Sequence, residues 1–365
     1  MKGKSRINGE IECLRFLFAV AVLMFHAVKY FRGEPDRLGG MDPYFFIHGA
    51  VGVEFFFICS GFFMAASIAR KAEAGPSEDT GKETISFMIR KIKGIAPVHI
   101  LFFVTAFISL VIVRSMGIGD VIKNMIDSVP AFFLIQMAGF KGFSPNHVSW
   151  YLSVMLISMM IIYPVARRFY STFVRVIAPT AALLILGFLF FRYGSLTGVM
   201  VRCGIFYKSM LRGFAEILAG MTCYEIAVWF KAKKLSKTGR LLVTLTGIIL
   251  LAASGVYIMH TLPARYEFFF VPVSALFMII AYSEQGLLYR LFDNRISVFL
   301  GKMTLPMYLA QVTFINLISF YGKDLSFCVR TLILAAGVSV SSVVYVLISD
   351  ALGKARSNPN VILDK

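Results

Sequence analysis

Charge is scarce in this chain of 365 residues: Asp, Glu, Lys and Arg make up 16% of it, while hydrophobic residues make up 58%. Soluble globular chains carry about 25% charged and about 45–50% apolar residues. A chain of this length cannot bury such a surplus, so a soluble enzyme is excluded. Cysteine is equally sparse. Cys13, Cys59, Cys203, Cys223 and Cys328 are scattered and form no C-x-x-C pair, which argues against a disulfide framework or a metal site. They read instead as small hydrophobes. There is no repeat of fixed period and no low-complexity tract. No interval between apolar stretches is long enough for a soluble domain.

What is present is a series of apolar segments of membrane-spanning length. Ten can be drawn, at 11–31, 45–69, 95–113, 148–166, 174–192, 205–229, 241–260, 267–283, 298–321 and 328–350. The expectation is an all-α, polytopic membrane helix bundle, with one transmembrane domain over 1–350 and a short cytoplasmic tail over 351–365. Segments on the side of the N-terminus carry well over twice the Lys and Arg of those on the other side. The positive-inside rule then places both termini in the cytoplasm, with Asp36, Asn146 and Lys323 outside. The net charge of +17 thus reports topology, and no nucleic-acid partner is expected. The first span contains Arg15 and His26 and has no small-residue cleavage site after it, unlike a signal peptide.

Two connections are long. The segment from Arg70 to Lys93 has a turn-rich middle and ends in Arg90-Lys91-Ile92-Lys93. The segment from Arg114 to Ser149 holds a stretch, 120–140, that reads as a re-entrant or interfacial helix lidding the outer face.

Ionisable residues inside spans mark the places where chemistry is expected. Arg15 and His26 are eleven residues apart, about three helical turns and about 16 Å, so they share a face at two depths. Glu54, near the outer end of the second span, lies within reach of His26 if the helices are neighbours. A carboxylate there could orient the imidazole as a general base or pair with a basic residue for structure alone. Arg212, Glu216 and Gly220 share one face of the sixth span and could bound a cavity or lock helices. Ser60-Gly61 reads as helix packing. Arg90, Lys91 and Lys93 before Pro97 suit a phosphate-bearing ligand entering from the cytoplasm, or plain anchoring to anionic lipid.

These residues, taken in order, resemble the acyltransferase 3 family of integral-membrane O-acyltransferases. The first-helix Arg-x10-His of that family is matched by Arg15 and His26, preceded by Glu12-Cys13-Leu14. Gly52-Val53-Glu54-Phe55-Phe56-Phe57 with Ser60-Gly61-Phe62, the basic run Arg90 to Pro97, Trp150-Tyr151-Leu152, and Leu300-Gly301-Lys302-Met303-Thr304 with Tyr308-Leu309 follow in the family's order. The chain departs from the pattern at Gly94, Met155, Thr304 and Gln311, where a basic residue, an acidic residue, Ser and His are frequent.

The resemblance implies a stand-alone O-acyltransferase of about ten helices in the cell (plasma) membrane. It implies transfer of an acyl group, often acetyl in the family, from cytoplasmic acyl-coenzyme A as co-substrate to a hydroxyl of a surface or secreted carbohydrate. No cofactor is expected to be held permanently, and no metal. His26, Glu54 and Arg15 would be catalytic, and Arg90, Lys91 and Lys93 would hold the coenzyme. Trp150, Arg212, Glu216, Tyr308 and Gln311 would line the substrate cavity. Partners are the carbohydrate acceptor, acyl-coenzyme A and the bilayer, with monomer and homo-oligomer both open. A different class, a transporter or flippase, would use the same polar residues to line a pathway, although no inverted repeat is visible.

Overall fold

The computed structural model describes residues 7–32, 45–140 and 142–357. It contains ten helical segments of 20 to 34 residues that are long and apolar enough to cross a membrane. We number the helices α1 (Gly9–Phe31), α2 (Gly52–Glu73), α3 (Thr80–Val113), the short α4 (Ile118–Asp127), α5 (Trp150–Arg168), α6 (Ala178–Tyr193), α7 (Lys208–Lys231), α8 (Lys237–Met259), α9 (Phe270–Ser283), α10 (Arg295–Tyr321) and α11 (Phe327–Ser357). Among the described residues one antiparallel pair, Arg202–Cys203 with Phe206–Tyr207, precedes α7.

Side-chain caps start four of the helices: Asn8 for α1, Asp79 for α3, Ser236 for α8 and Asn294 for α10 each accept a bond from a first-turn N–H. Such a cap satisfies one of the donors that the first turn leaves unpaired. Asp79 also corrects the reading of the Arg70–Lys93 segment. Only 74–79 lies outside a helix, and Arg90, Lys91 and Lys93 stand on α3 itself. Glu83 explains the early start of α3. It pairs with Lys71 at 2.7 Å and with Arg167 at 3.0 Å, which ties the first turns of α3 to the ends of α2 and α5.

The helices form two neighbouring groups. Helices α1, α3, α10 and α11 pack on one side; α2, α5, α6, α7 and α9 pack on the other, with α8 at the edge against α9. Helices α2 and α7 come closest. A Cβ added at Gly61 would sit 1.9 Å from the carbonyl oxygen of Ile217, and one at Gly220 would sit 2.2 Å from that of Ile58. Only glycine permits this backbone contact, the use of small residues expected between helices in lipid. Phe18 stacked on Phe55 at 4.6 Å and Phe87 on Tyr163 at 4.4 Å fill the seams between groups.

The stretch after α3 does not span. Helix α4 has ten residues and none buried, so it is about 15 Å long, half the thickness of a bilayer core. Its exposed Ile118, Ile122, Met125 and Ile126 recur at helical spacing, the pattern of a helix lying in the interface. Beyond it the chain folds back over the bundle. Phe132 O takes a bond from His99 Nε2 at 3.1 Å, and Ser153 Oγ accepts from the Met137 N–H at 3.1 Å. Asn146, expected outside, is fully buried and donates to Phe102 O and Leu309 O, joining α3 to α10. Lys323 is exposed. Asp36 and the final residues 358–365 lie outside the described residues.

Candidate active site

Two cavities lie one above the other between the helix groups. The first, about 360 Å³, opens toward the face that holds the start of α1. Arg15, Ser60, Arg90, Lys91, Tyr151, Met155, Thr304 and Tyr308 are among its lining residues. The second, about 490 Å³, lies toward the opposite face and is lined by His26, Lys29, Gln136, His147, Trp150, Arg212 and Tyr308, with Pro130, Phe140 and Phe143 from the chain that folds back after α4. Tyr308 borders both. Arg15 and His26, on one face of α1, therefore serve different chambers.

His26 is held by Gln311. Nδ1 of the imidazole lies 3.1 Å from Gln311 Oε1, and Gln311 Nε2 donates to the carbonyl of Tyr308 at 2.8 Å. A carbonyl only accepts, so the amide must present its nitrogen to Tyr308 and its oxygen to His26. That oxygen in turn requires a proton on Nδ1. Nε2 is left with the free lone pair, the tautomer a general base needs. Gln311, a departure from the family pattern, thus has a defined role.

Glu54 does not orient His26, contrary to the expectation from sequence. Its carboxylate is engaged by Arg212, 2.6 Å away, and Arg212 Nε donates to Glu216 Oε1 at 3.2 Å. All three are buried. An arginine so deep needs opposite charge beside it, and the carboxyl groups of Glu54 on α2 and Glu216 on α7 flank it. Arg212 also donates to Leu196 O, and its guanidinium lies 5.9 Å from the centroid of the Trp150 ring. Both lock and cavity wall are therefore realised: Arg212 lines the chamber while Glu54 and Glu216 hold it from behind.

The basic run divides. Arg90, itself exposed, and the half-buried Lys91 line the first cavity, whereas Lys93 lies outside its lining. At about 100° per residue, 90, 94 and 91 follow one another around the helix along the rim of the cavity, and Lys93 lies about 60° beyond Arg90 on the other side. Arg15 is bound through Nη1 to both oxygens of Glu12, at 2.7 and 3.0 Å. Ser60 bonds the hydroxyl of Tyr151 at 3.0 Å, and Tyr151 donates to Phe56 O. Ser60 is thereby a packing residue. Tyr308 donates to Val148 O at 2.8 Å, which pins it between the chambers. Cys59 and Cys223 are buried free thiols.

Sequence reasoning missed His147, Lys29, Gln136 and Glu267. His147 Nε2 bonds the hydroxyl of Tyr30 at 3.0 Å, and its ring lies 6.2 Å from that of His26. Glu267 accepts from the N–H groups of Leu196 and Thr197 and so shapes the loop at the cavity wall. The rarity of histidine, five in the chain, was the one signal that could have singled out His147.

No curated protein and no solved structure matches the chain. A family profile does, described as an acyltransferase domain and matching residues 8–347. Because that match covers nearly the whole transmembrane bundle, the chain belongs to the acyltransferase 3 family of membrane acyltransferases.

Proposed function

We propose that the protein transfers an acyl group, acetyl in the simplest case, from cytoplasmic acyl-coenzyme A to a hydroxyl of a carbohydrate outside the plasma membrane. The observation that carries this reading is the pair of cavities meeting at Tyr308. A basic chamber with Arg15, Arg90 and Lys91 lies on the side where Lys and Arg are concentrated, and a chamber with His26 lies on the other. Phosphates of the coenzyme suit the first; the acceptor hydroxyl suits the second.

The tautomer of His26 supports the chemistry. The acceptor O–H gives its proton to Nε2 as its oxygen forms a bond to the thioester carbonyl carbon. Collapse of the tetrahedral intermediate breaks the C–S bond, and the thiolate leaves with the proton that the imidazolium returns. Gln311 holds the ring throughout. Arg15 lies about 16 Å from His26 along α1, too far to touch the same carbonyl, and therefore acts on the coenzyme rather than on the reacting bond. Aromatic rings of Phe25, Trp150 and Tyr308 in the outer chamber provide apolar faces on which a sugar ring can rest.

The test is incubation of purified protein in detergent with acetyl-coenzyme A and candidate glycans, followed by mass spectrometry. A gain of one acetyl mass that is lost in His26→Ala supports the reading. Movement of an unmodified solute across a vesicle, with no mass change, overturns it in favour of transport.

A further inference from the structure

Gly301 and Glu12 meet across the α1–α10 seam more closely than any side chain would permit. A Cβ built on Gly301 would fall 1.8 Å from Glu12 Oε2 and 2.6 Å from Glu12 Cβ. The glycine thus leaves a slot on α10, and the slot is filled by the carboxylate of Glu12. That carboxylate grips one edge of Arg15, through Nη1 alone. Its side chain is 13% exposed, against 31% for Arg15. The grip is enclosed while the guanidinium remains open to the inner chamber that it lines. Among the described residues nothing accepts from Arg15 Nε or Nη2. These two N–H groups form the other edge of the fork, which is suited to paired hydrogen bonds with a phosphate.

We propose that Glu12, seated in the Gly301 slot, is a positioning residue that presents the free edge of Arg15 to a phosphate of the acyl donor. This rests on the reading of the inner chamber as the donor site. Arginine loses much side-chain entropy when immobilised. A partner that immobilises it beforehand lowers that cost at the moment of binding. The carboxylate has an opposing effect, since it repels the phosphate it helps to bind. The two effects predict opposite signs for its removal, and this makes the proposal testable.

The experiment measures binding of acetyl-coenzyme A to the purified full-length protein by calorimetry, alongside KM and kcat with acceptor present. Variants are Glu12→Ala, Glu12→Gln and Gly301→Ala, each checked for a monodisperse, thermally stable preparation. Pre-organisation predicts that Glu12→Ala weakens donor binding and raises its KM about tenfold, the scale of one charge-assisted hydrogen bond. kcat at saturating donor is retained. Glu12→Gln, which keeps an accepting oxygen for Arg15, recovers most of the loss. Gly301→Ala, whose new Cβ would meet both the carboxylate and the Cβ of Glu12, displaces Glu12 and should weaken donor binding in the same direction as Glu12→Ala. Should Gly301→Ala fail to fold, the two Glu12 variants decide.

Tighter or unchanged donor binding in a folded Glu12→Ala overturns the proposal and leaves the donor site standing. A loss of kcat with unchanged KM overturns it too. If the unaltered protein itself binds no acetyl-coenzyme A, the donor-site reading fails, and the positioning role falls with it.

Discussion

Gln311 holds His26 in one tautomer, with Oε1 3.1 Å from Nδ1 and Nε2 committed to the carbonyl of Tyr308. The amide oxygen accepts the Nδ1 proton and so leaves Nε2 with its lone pair. Gln311→Leu removes the acceptor of the Nδ1 proton while keeping bulk. We expect a fall in kcat of about tenfold, smaller than the roughly 10²–10⁴-fold loss expected when the base itself is removed in His26→Ala. Steady-state kinetics at saturating donor, on preparations of equal thermal stability, measure both. A Gln311→Leu enzyme with unchanged kcat would remove the assigned role.

Arg212 tests a different kind of dependence. Replacing it with Met leaves the buried Glu54 and Glu216 without their cation, and breaking a buried ion pair in this way costs about 3–5 kcal/mol. The expected result is loss of detergent-stable protein, or a large fall in melting temperature, before any kinetic effect can be read. Fluorescence-detected size exclusion with heating is the measurement. Should Arg212→Met remain as stable as the unaltered protein, the triad does not lock α2 to α7.

The two helices also depend on their glycines. Gly61→Val and Gly220→Val each drive a side chain into a backbone carbonyl, since even a single Cβ comes within 1.9 and 2.2 Å of one. Backbone cannot swing aside as a side chain can, so α2 and α7 must separate. Both variants should fail to yield folded protein, whereas Gly255→Ala, at a site with open space around it, should behave normally.

Along α3 the basic run should separate by face. Arg90→Ala and Lys91→Ala, which reach the inner chamber, are expected to raise the KM for acetyl-coenzyme A several-fold. Lys93→Ala, outside the lining, should leave it within a factor of two, as removal of a solvated surface charge usually does. Equal effects at all three positions would favour general attraction to anionic lipid or coenzyme over a shaped site.

Topology is open to direct measurement, with both termini expected in the cytoplasm. With the native cysteines replaced, Lys323→Cys should react with an impermeant thiol reagent on intact cells, and Arg168→Cys only after permeabilisation. Asn146, in a connection expected outside, is a poor reporter because it is buried between α3 and α10. Labelling of Arg168→Cys on intact cells would invert the orientation of the bundle.

The number and placement of the membrane helices, the non-spanning stretch around α4 and the two depths of Arg15 and His26 were all legible in the residues. Each depends on local quantities: apolar length against bilayer thickness, and a rise and turn per residue that are the same in every helix. The family could be read for the same reason, since its motifs are short and stand in order along the chain. What could not be read was which helix faces which. Glu54 is near His26 in depth, yet it lies against α7, and its partner is Arg212, more than 150 residues away. Gln311 reaches His26 from 285 residues along the chain. Lys93 shares a basic run with Lys91 but not its face. Partner choice among buried polar groups is set by the packing of whole helices, in which glycines at 61, 220 and 301 decide how near two backbones come. That information belongs to pairs of segments, and only the assembled bundle holds it.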